Sequence, residues 1–379
     1  MNTVNSEVIV MIAGSRWEDT RGTDHRLAEA LAKRSRVLWV DPPVPIVGPA
    51  SEGKPSMFPG YAIDGLRPDL LCLRVLVPPG FTRAFIRSVA TRLQARAIRL
   101  ALAELNAESI AKIVLSPRER FPHSVSGKNI LHVTDDWVAG AELMGLSRAA
   151  VQSTLARNLA DADVVCAVSP YLADRVEQQS QKRVVVLPNG CAAHLPQTSE
   201  KEVVRRPVAG LIGQLNERID MDYLEALADS GIPVEVIGPR RDRSAETSAR
   251  LDRFLESENV LWRGEMPESL LWAEIEEFAV GLTPYADNEF NRASFPIKTL
   301  DYLSAGVPVI ATDLPAVRWL NSEWIKVVQS PEEFVSSVRT AIGDGDQNTD
   351  AQQRRNFASH HTWDARARRL LDLIAGNDS

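Results

Sequence analysis

The chain has 379 residues, 44% of them hydrophobic and 25% charged, which excludes a disordered, collagen-like or coiled-coil protein and predicts two or three packed domains. A net charge of −7 argues against a dedicated nucleic-acid binder, although the total hides an asymmetry of +4 over residues 1–190 against −11 over 191–379. The three cysteines, Cys72, Cys166 and Cys191, are widely spaced and form no CxxC pair, so neither a disulfide framework nor a zinc site is indicated. No apolar run approaches the roughly 18–20 residues of a membrane-spanning helix, and acids at Glu7, Glu18 and Asp19 replace the basic start of a signal peptide. A cytoplasmic location is expected, free or peripheral at the inner face of the plasma membrane.

An apolar run at 8–13 ends at Gly14-Ser15, a helical pattern covers 23–34, and a second apolar run follows at 37–40, which together predict a βαβ unit. Further buried-type strands are expected at 110–115, 129–133, 164–168 and 184–187, giving a parallel sheet covered on both faces. Residues 80–103 contain Arg83, Arg87, Arg92, Arg96 and Arg99 and no acid. On a helical wheel Ile86, Val89, Leu93, Ala97 and Leu100 form one stripe bordered by these arginines, the pattern of an interfacial helix on an anionic membrane surface or of a core-facing helix with solvated arginines. Pro188-Asn189-Gly190 marks a turn, and the aperiodic polar stretch after it sets a linker at 191–206 between an N-terminal domain (1–190) and a C-terminal one (207–355). In the second domain strands are expected at 208–212, 234–237, 260–262, 280–283 and 307–311, alternating with helices at 222–230, 245–257, 268–278 and 297–304. A last amphipathic helix at 363–374, within a tail of 356–379, is expected to pack back on the first domain. Two doubly wound domains of this kind bind ligands at the carboxyl ends of their strands, which predicts a site in the cleft between them.

The segment with most chemical content is 284–312. A helix starts near Pro296, where a missing N–H is harmless, and stops at Gly306. The free N–H groups at its start make an anion site, and Lys298 adds a positive charge in the same turn. Asp301 lies on the same face, about 4.5 Å further along the axis. The pair reads as a grip on a nucleotide diphosphate, with the carboxylate on the ribose hydroxyls, or as an ordinary i,i+3 ion pair.

Four stretches then resemble retaining glycosyltransferases of the two-domain GT-B fold, sequence family four, of the kind acting in bacterial teichuronic-acid and exopolysaccharide assembly. They are Phe295-Pro-Ile-Lys-Thr-Leu-Asp-Tyr-Leu-Ser-Ala-Gly-Val-Pro-Val309, Gly213-Gln-Leu-Asn-Glu-Arg-Ile-Asp220, Ala162-Asp-Val-Val-Cys-Ala-Val-Ser-Pro170 and Leu187-Pro-Asn-Gly190, joined by the closing His361-Thr-Trp-Asp-Ala-Arg366. The resemblance implies that Asp301 stands where the family has the ribose-binding glutamate. The family's sugar-side glutamate falls on Ala293, with Glu289 or Asn288 as candidate substitutes. Arg218 and Lys298 map to the basic pair that neutralises the diphosphate, Arg292 is a further candidate, and Phe295, Pro296 and Ile297 complete the donor-binding turn. Base recognition is placed near 238–240, including Arg240, and 262–263. In the first domain the resemblance brings the backbone of Gly14 and Ser15 to the diphosphate and sets Asp135 and Asp136, after His132, on the acceptor side as candidate catalytic residues. His132 itself reads as a satisfied strand histidine, and Arg118, Glu119 and Arg120 are further acceptor-side candidates.

The DxD spacings Asp161–Asp163, Asp220–Asp222 and Asp344–Asp346 sit at element ends or in a glycine loop and are not taken as metal sites, and neither a Walker loop nor a GxGxxG fingerprint occurs. The expected activity is metal-independent transfer of a hexosyl group, with retention, from a UDP- or GDP-sugar to a carbohydrate or lipid-linked glycan in cell-surface polysaccharide assembly, without a resident cofactor. A non-catalytic nucleotide-sugar-binding subunit, suggested by Ala293, and a nucleotide-sugar epimerase are the alternatives.

Overall fold

The computed structural model describes residues 6–19, 21–46, 60–79, 84–142, 144–192, 205–343 and 350–377. Most of the expected linker, together with Arg83 and the Asp344–Asp346 triplet, lies outside them. The chain forms two compact units, one of Met1–Pro188 with Arg366–Ser379 and one of Asn189–Ala365.

The first unit is built on a nine-stranded sheet. Its strands are β1 (Ser6–Ile12), β2 (Arg36–Val40), β3 (Val44–Pro45), β4 (Tyr61–Arg67), β5 (Leu70–Val77), β6 (Ala107–Val114), β7 (Lys128–Val133), β8 (Val164–Ala167) and β9 (Val184–Val186). They run in the order β3-β5-β2-β1-β6-β7-β8-β9, with β4 on β5. The buried runs Val8–Ile12 and Val37–Val40 are fully shielded, as a parallel sheet covered on both faces requires. The expectation of a wholly parallel sheet is corrected at one edge. β4 pairs antiparallel with β5, because Pro68 and Asp69 leave only a tight reversal between them.

Helices α1 (Thr23–Ala32), α2 (Ala84–Glu104), α3 (Arg148–Asp161) and α4 (Pro170–Ser180) belong to this unit. The face that α2 buries is Ala90, Gln94, Ala97, Ile98 and Ala101, set one position away from the expected stripe, and Leu100 of that stripe is 40% exposed. Small side chains let the helix sit close on the sheet, and Ala90, Ala97 and Ala101 share its inner side with Ile98 and Gln94. Arg92, Arg96 and Arg99 are exposed.

The second unit carries a six-stranded parallel sheet with strands β10 (Arg206–Ile212), β11 (Val234–Ile237), β12 (Val260–Trp262), β13 (Phe278–Thr283), β14 (Val309–Thr312) and β15 (Ile325–Val328). The order is β12-β11-β10-β13-β14-β15. Its helices are α5 (Met221–Asp229), α6 (Ala245–Leu255), α7 (Glu268–Glu276), α8 (Glu289–Ala293), α9 (Ile297–Ser304), α10 (Pro315–Leu320), α11 (Pro331–Gly343) and α12 (Ala351–Ser359). A last helix, α13 (Trp363–Ala375), starts in the second unit and ends in the first, where Lys128 Nζ on β7 donates to the Leu373 carbonyl at 3.0 Å. No helix among the described residues is long and apolar enough to cross a membrane.

Strand order in the second sheet reverses between β10 and β13, so their carboxyl ends form the crevice in which such sheets take ligands. Helix α9 is held there by Tyr302, which is fully buried. Its hydroxyl donates to the Gly210 carbonyl and accepts from the Ile212 N–H, both at 2.8 Å. The ring occupies the space over Gly281, where any Cβ would lie 2.3 Å from it. Replacing Tyr302 by phenylalanine keeps the ring and strands two buried backbone groups. It is expected to cost about 2 kcal/mol in urea denaturation.

Candidate functional site

The crevice of the second unit is made by two loops and two helix starts. After β10 the chain turns at Gly213, whose φ of +127° favours glycine. The loop after β11 packs on it backbone to backbone, because Gly238 lies against the Gly213 carbonyl so closely that an added Cβ would sit 1.8 Å from the oxygen. A Cβ on Gly213 would stand 3.8 Å from Lys298 Cε, so the Lys298 stem lies over that turn. Lys298 Nζ is 3.1 Å from Asp301 Oδ2, with Asp301 almost fully buried and Lys298 half-buried. The i,i+3 ion pair is thus formed in the structure, and it aligns a cation and a carboxylate at the first turns of α9. No side chain caps that turn.

Arg218, five residues beyond Gly213, is positioned with equal care. Its Nε donates to Asn291 Oδ1 at 2.9 Å, and its guanidinium lies 5.0 Å from the Phe290 ring centroid and 5.5 Å from that of Tyr285. Asn291 is buried and returns two bonds through Nδ2, to the carbonyls of Arg218 and Ala286. No carboxylate pairs with Arg218 among the described residues, so one edge of a fixed guanidinium is left for an anion. Asn291 was missed in the sequence; the signal was Asn288, which caps α8 by accepting from the Asn291 N–H and so turns Asn291 toward Arg218.

The other donor-side residues have different surroundings. Arg292 is exposed and forks onto Asp287, which holds that carboxyl below its usual range. Arg240 is engaged by Asp242 and Asp252, and its hydrogen bonds hold the Asp242 carboxyl down to about 2. Phe295 and Pro296 are buried behind the turn, with Phe295 edge-on to Trp319 at 6.1 Å, and Ile297 is half-buried. Ala293 is fully buried, whereas Glu289 is exposed at the start of α8.

In the first unit the loop after β1 is tied down, with Gly14 N and Ser15 Oγ both donating to Asp24 Oδ2 at 3.1 Å. Beside it, burial pushes the Asp41 carboxyl up, although Asp41 accepts from Trp39 Nε1 at 2.7 Å and the Trp17 N–H at 3.0 Å and faces Arg74 at 3.5 Å. Sequence reasoning gave no sign of this cluster, because its members come from the loop after β1, from β2 and the residue after it, and from the middle of β5. Asp136 caps the turn after β7 through the Val138 and Ala139 N–H groups and faces Arg175 Nη1 at 2.8 Å, while Asp135 is half-buried. Of the DxD acids, Asp220 caps α5, Asp163 accepts from the Asn129 N–H and Asp161 faces His123. Among the described residues no cluster of three or more His, Cys, Asp or Glu side chains is placed to hold a metal ion.

His132 is buried in β7 with Nε2 3.1 Å from the Leu187 carbonyl, and burial pushes its pKa down to about 4. Because the folded ring resists protonation that the unfolded one accepts near 6.5, stability is lost as pH falls below that value. Lowering the pH from 7.5 to 5 is expected to remove about 2 kcal/mol through this group. Urea midpoints of wild type and His132→Gln should converge over that interval, and parallel profiles would show the ring to be uninvolved.

The fold is GT-B, with two doubly wound α/β units, one on a parallel sheet and one on a sheet parallel except for β4. It is similar to sucrose-phosphate synthase from Thermosynechococcus elongatus (TM-score 0.66, 14% identity, covering 98% of this chain and 99% of the other). It is also similar to Anabaena Alr3699/HepE in complex with UDP and glucose (TM-score 0.67, 12% identity, 98% and 100% covered). Residues 220–372 match the family described as glycosyl transferase-like. Over 98% of both chains the sequence is 24% identical to TuaH of Bacillus subtilis (strain 168), a protein provisionally assigned as a glycosyltransferase of teichuronic acid biosynthesis.

Proposed function

We propose that the protein is a glycosyltransferase that moves a hexosyl group from a nucleotide diphosphate sugar to a carbohydrate or lipid-linked glycan, with retention and without a metal ion. The observation that carries the reading is the pair of fixed cations at the switch point of the second sheet, Lys298 over Gly213 and Arg218 on Asn291, beside an uncapped helix start. Charge grows on the leaving diphosphate as the anomeric carbon becomes oxocarbenium-like, and preformed positive groups stabilise that transition state more than the ground state. Asp301, released from Lys298 when the diphosphate takes over the cation, would accept the ribose hydroxyls. Acceptor binding is assigned to the first unit, to the polar cluster at Asp135 and Asp136. A place in bacterial cell-surface polysaccharide assembly follows the likeness to TuaH.

The test is thermal shift with UDP, GDP, dTDP and ADP, each with and without magnesium or manganese. One diphosphate is expected to raise Tm without metal, and Lys298→Ala to abolish that rise. The reading fails if no nucleotide stabilises the protein, or if Lys298→Ala is stabilised as strongly as wild type.

A further inference from the structure

The outer ridge of α2 carries an arrangement that the arginines of the second unit do not share. Arg92, Arg96 and Arg99 follow one another four and three residues apart, which on a helix sets them in one line about 10 Å long, opposite the buried Gln94, Ala97 and Ala101. All three are exposed, as is Arg157 of α3, which lines the same hollow between the two helices as Arg92. None of the four has a carboxylate within ion-pair range among the described residues. In the second unit, by contrast, Arg206, Arg240, Arg250 and Arg263 each reach two or more carboxylates. The helices differ in the same way: α6 mixes Glu246, Arg250, Asp252 and Arg253, whereas residues 84–103 of α2 and 148–160 of α3 hold no acid. The acids that close these two helices are already engaged, Glu104 accepting from the Tyr61 hydroxyl at 3.2 Å and Asp161 facing His123 at 3.5 Å.

Solubility alone is served by charges of both signs, as on α6. A ridge of one sign, without a counter-charge of its own, keeps its field for something outside the chain. Leu100, next to Arg99, is 40% exposed, and the hollow beside the ridge, of about 570 Å³, is half open and mostly apolar, with Phe121 and Ala150 in its lining. A line of arginines beside an open apolar hollow matches the boundary of a bilayer, where guanidiniums meet lipid phosphates while their stems and neighbouring apolar groups enter the headgroup layer. A nucleic acid or an acidic peptide would use the charges and leave the apolar part in water. We propose that this face of the first unit, built by α2 and the adjoining edge of α3, docks reversibly on an anionic lipid bilayer. The inference does not depend on the donor reading, since no residue of the crevice takes part.

The experiment is co-sedimentation of the full chain with vesicles of phosphatidylcholine alone and of phosphatidylcholine with phosphatidylglycerol, at low and high salt, alongside anisotropy titration with labelled polyglutamate and a single-stranded oligonucleotide. Each arginine held near an anionic surface is worth about fivefold in binding, so Arg92→Gln/Arg96→Gln/Arg99→Gln is expected to weaken binding to the mixed vesicles by roughly twentyfold or more. The three side chains are exposed, and an unchanged Tm shows that the variant folds. Arg253→Gln/Arg318→Gln/Arg339→Gln removes the same charge from exposed positions of the second unit and should bind within about threefold of wild type. Wild-type binding to the mixed vesicles alone, lost at high salt and in the α2 variant but kept in the control, supports the docking face. The inference is overturned if wild type ignores the mixed vesicles, if plain phosphatidylcholine binds as well, if both variants weaken equally, or if the α2 variant binds like wild type. Capture of polyglutamate or the oligonucleotide through the same arginines, without vesicle binding, assigns the face to an acidic macromolecule and overturns it too.

Discussion

Replacing Arg218 with alanine is expected to lower the rate of sugar transfer by about 10² to 10³-fold, the loss usual for removing one preorganised charge from a developing anion. The side chain is only half-buried and its ring contacts with Phe290 and Tyr285 are peripheral, so the fold should survive, with Tm changed little. The loss should fall mainly in kcat, because the interaction strengthens as charge leaves the sugar for the diphosphate. Arg218→Lys keeps the charge but loses the Nε bond to Asn291, and should recover only part of the rate. Turnover within threefold of wild type in Arg218→Ala would remove this residue from the chemistry and leave Lys298 as the sole cation of the proposed grip.

The second large effect concerns backbone. Gly238 has a φ of +150°, and a Cβ there would stand 1.8 Å from the Gly213 carbonyl oxygen, which is main chain and cannot swing away. Gly238→Ala must therefore separate the loops after β11 and β10, and Gly213 carries the Lys298 stem on its other side. A cost of about 4 kcal/mol is expected, which for a unit of this size is a fall in Tm of roughly 10 °C, together with loss of nucleotide stabilisation. Gly231→Ala serves as a comparison, since nothing lies within 4 Å of a Cβ there and only its φ of +70° opposes the change. Equal effects from both substitutions would mean that dihedral strain, and not the loop contact, sets the cost.

Much of the fold was legible because parallel strands buried on both faces write themselves as apolar runs. β1, β7 and β13 stand within about two residues of where the runs place them. The antiparallel β4 was not legible, since Tyr61–Arg67 is half-exposed and its apolar residues do not form a run. The inner face of α2 was partly misplaced for a related reason: the periodic argument follows bulky residues and caught Ala97, whereas the small Ala90 and Ala101 are also buried. Of the candidate site, Lys298, Asp301 and Arg218 lie where a helix start and a strand end had to bring them. What sequence could not supply was the partner of each charge. Arg218, Arg240 and Arg292 look alike as letters, yet one faces a neutral amide while the other two fork onto carboxylates. The buried Glu235, bonded to both Arg206 and Arg263 on an otherwise apolar strand, was hidden in the same way.

The route of the chain through its two units also governs the order in which they can be completed. Because α13 closes the first unit from the far end of the sequence, the Lys128 bond to Leu373 cannot form during synthesis until the whole of 189–365 has emerged. The second unit, continuous in sequence, can reach its native state while the first still lacks a covering helix. Vectorial folding of this molecule therefore finishes at its beginning, with the last helix to leave the ribosome completing the first unit.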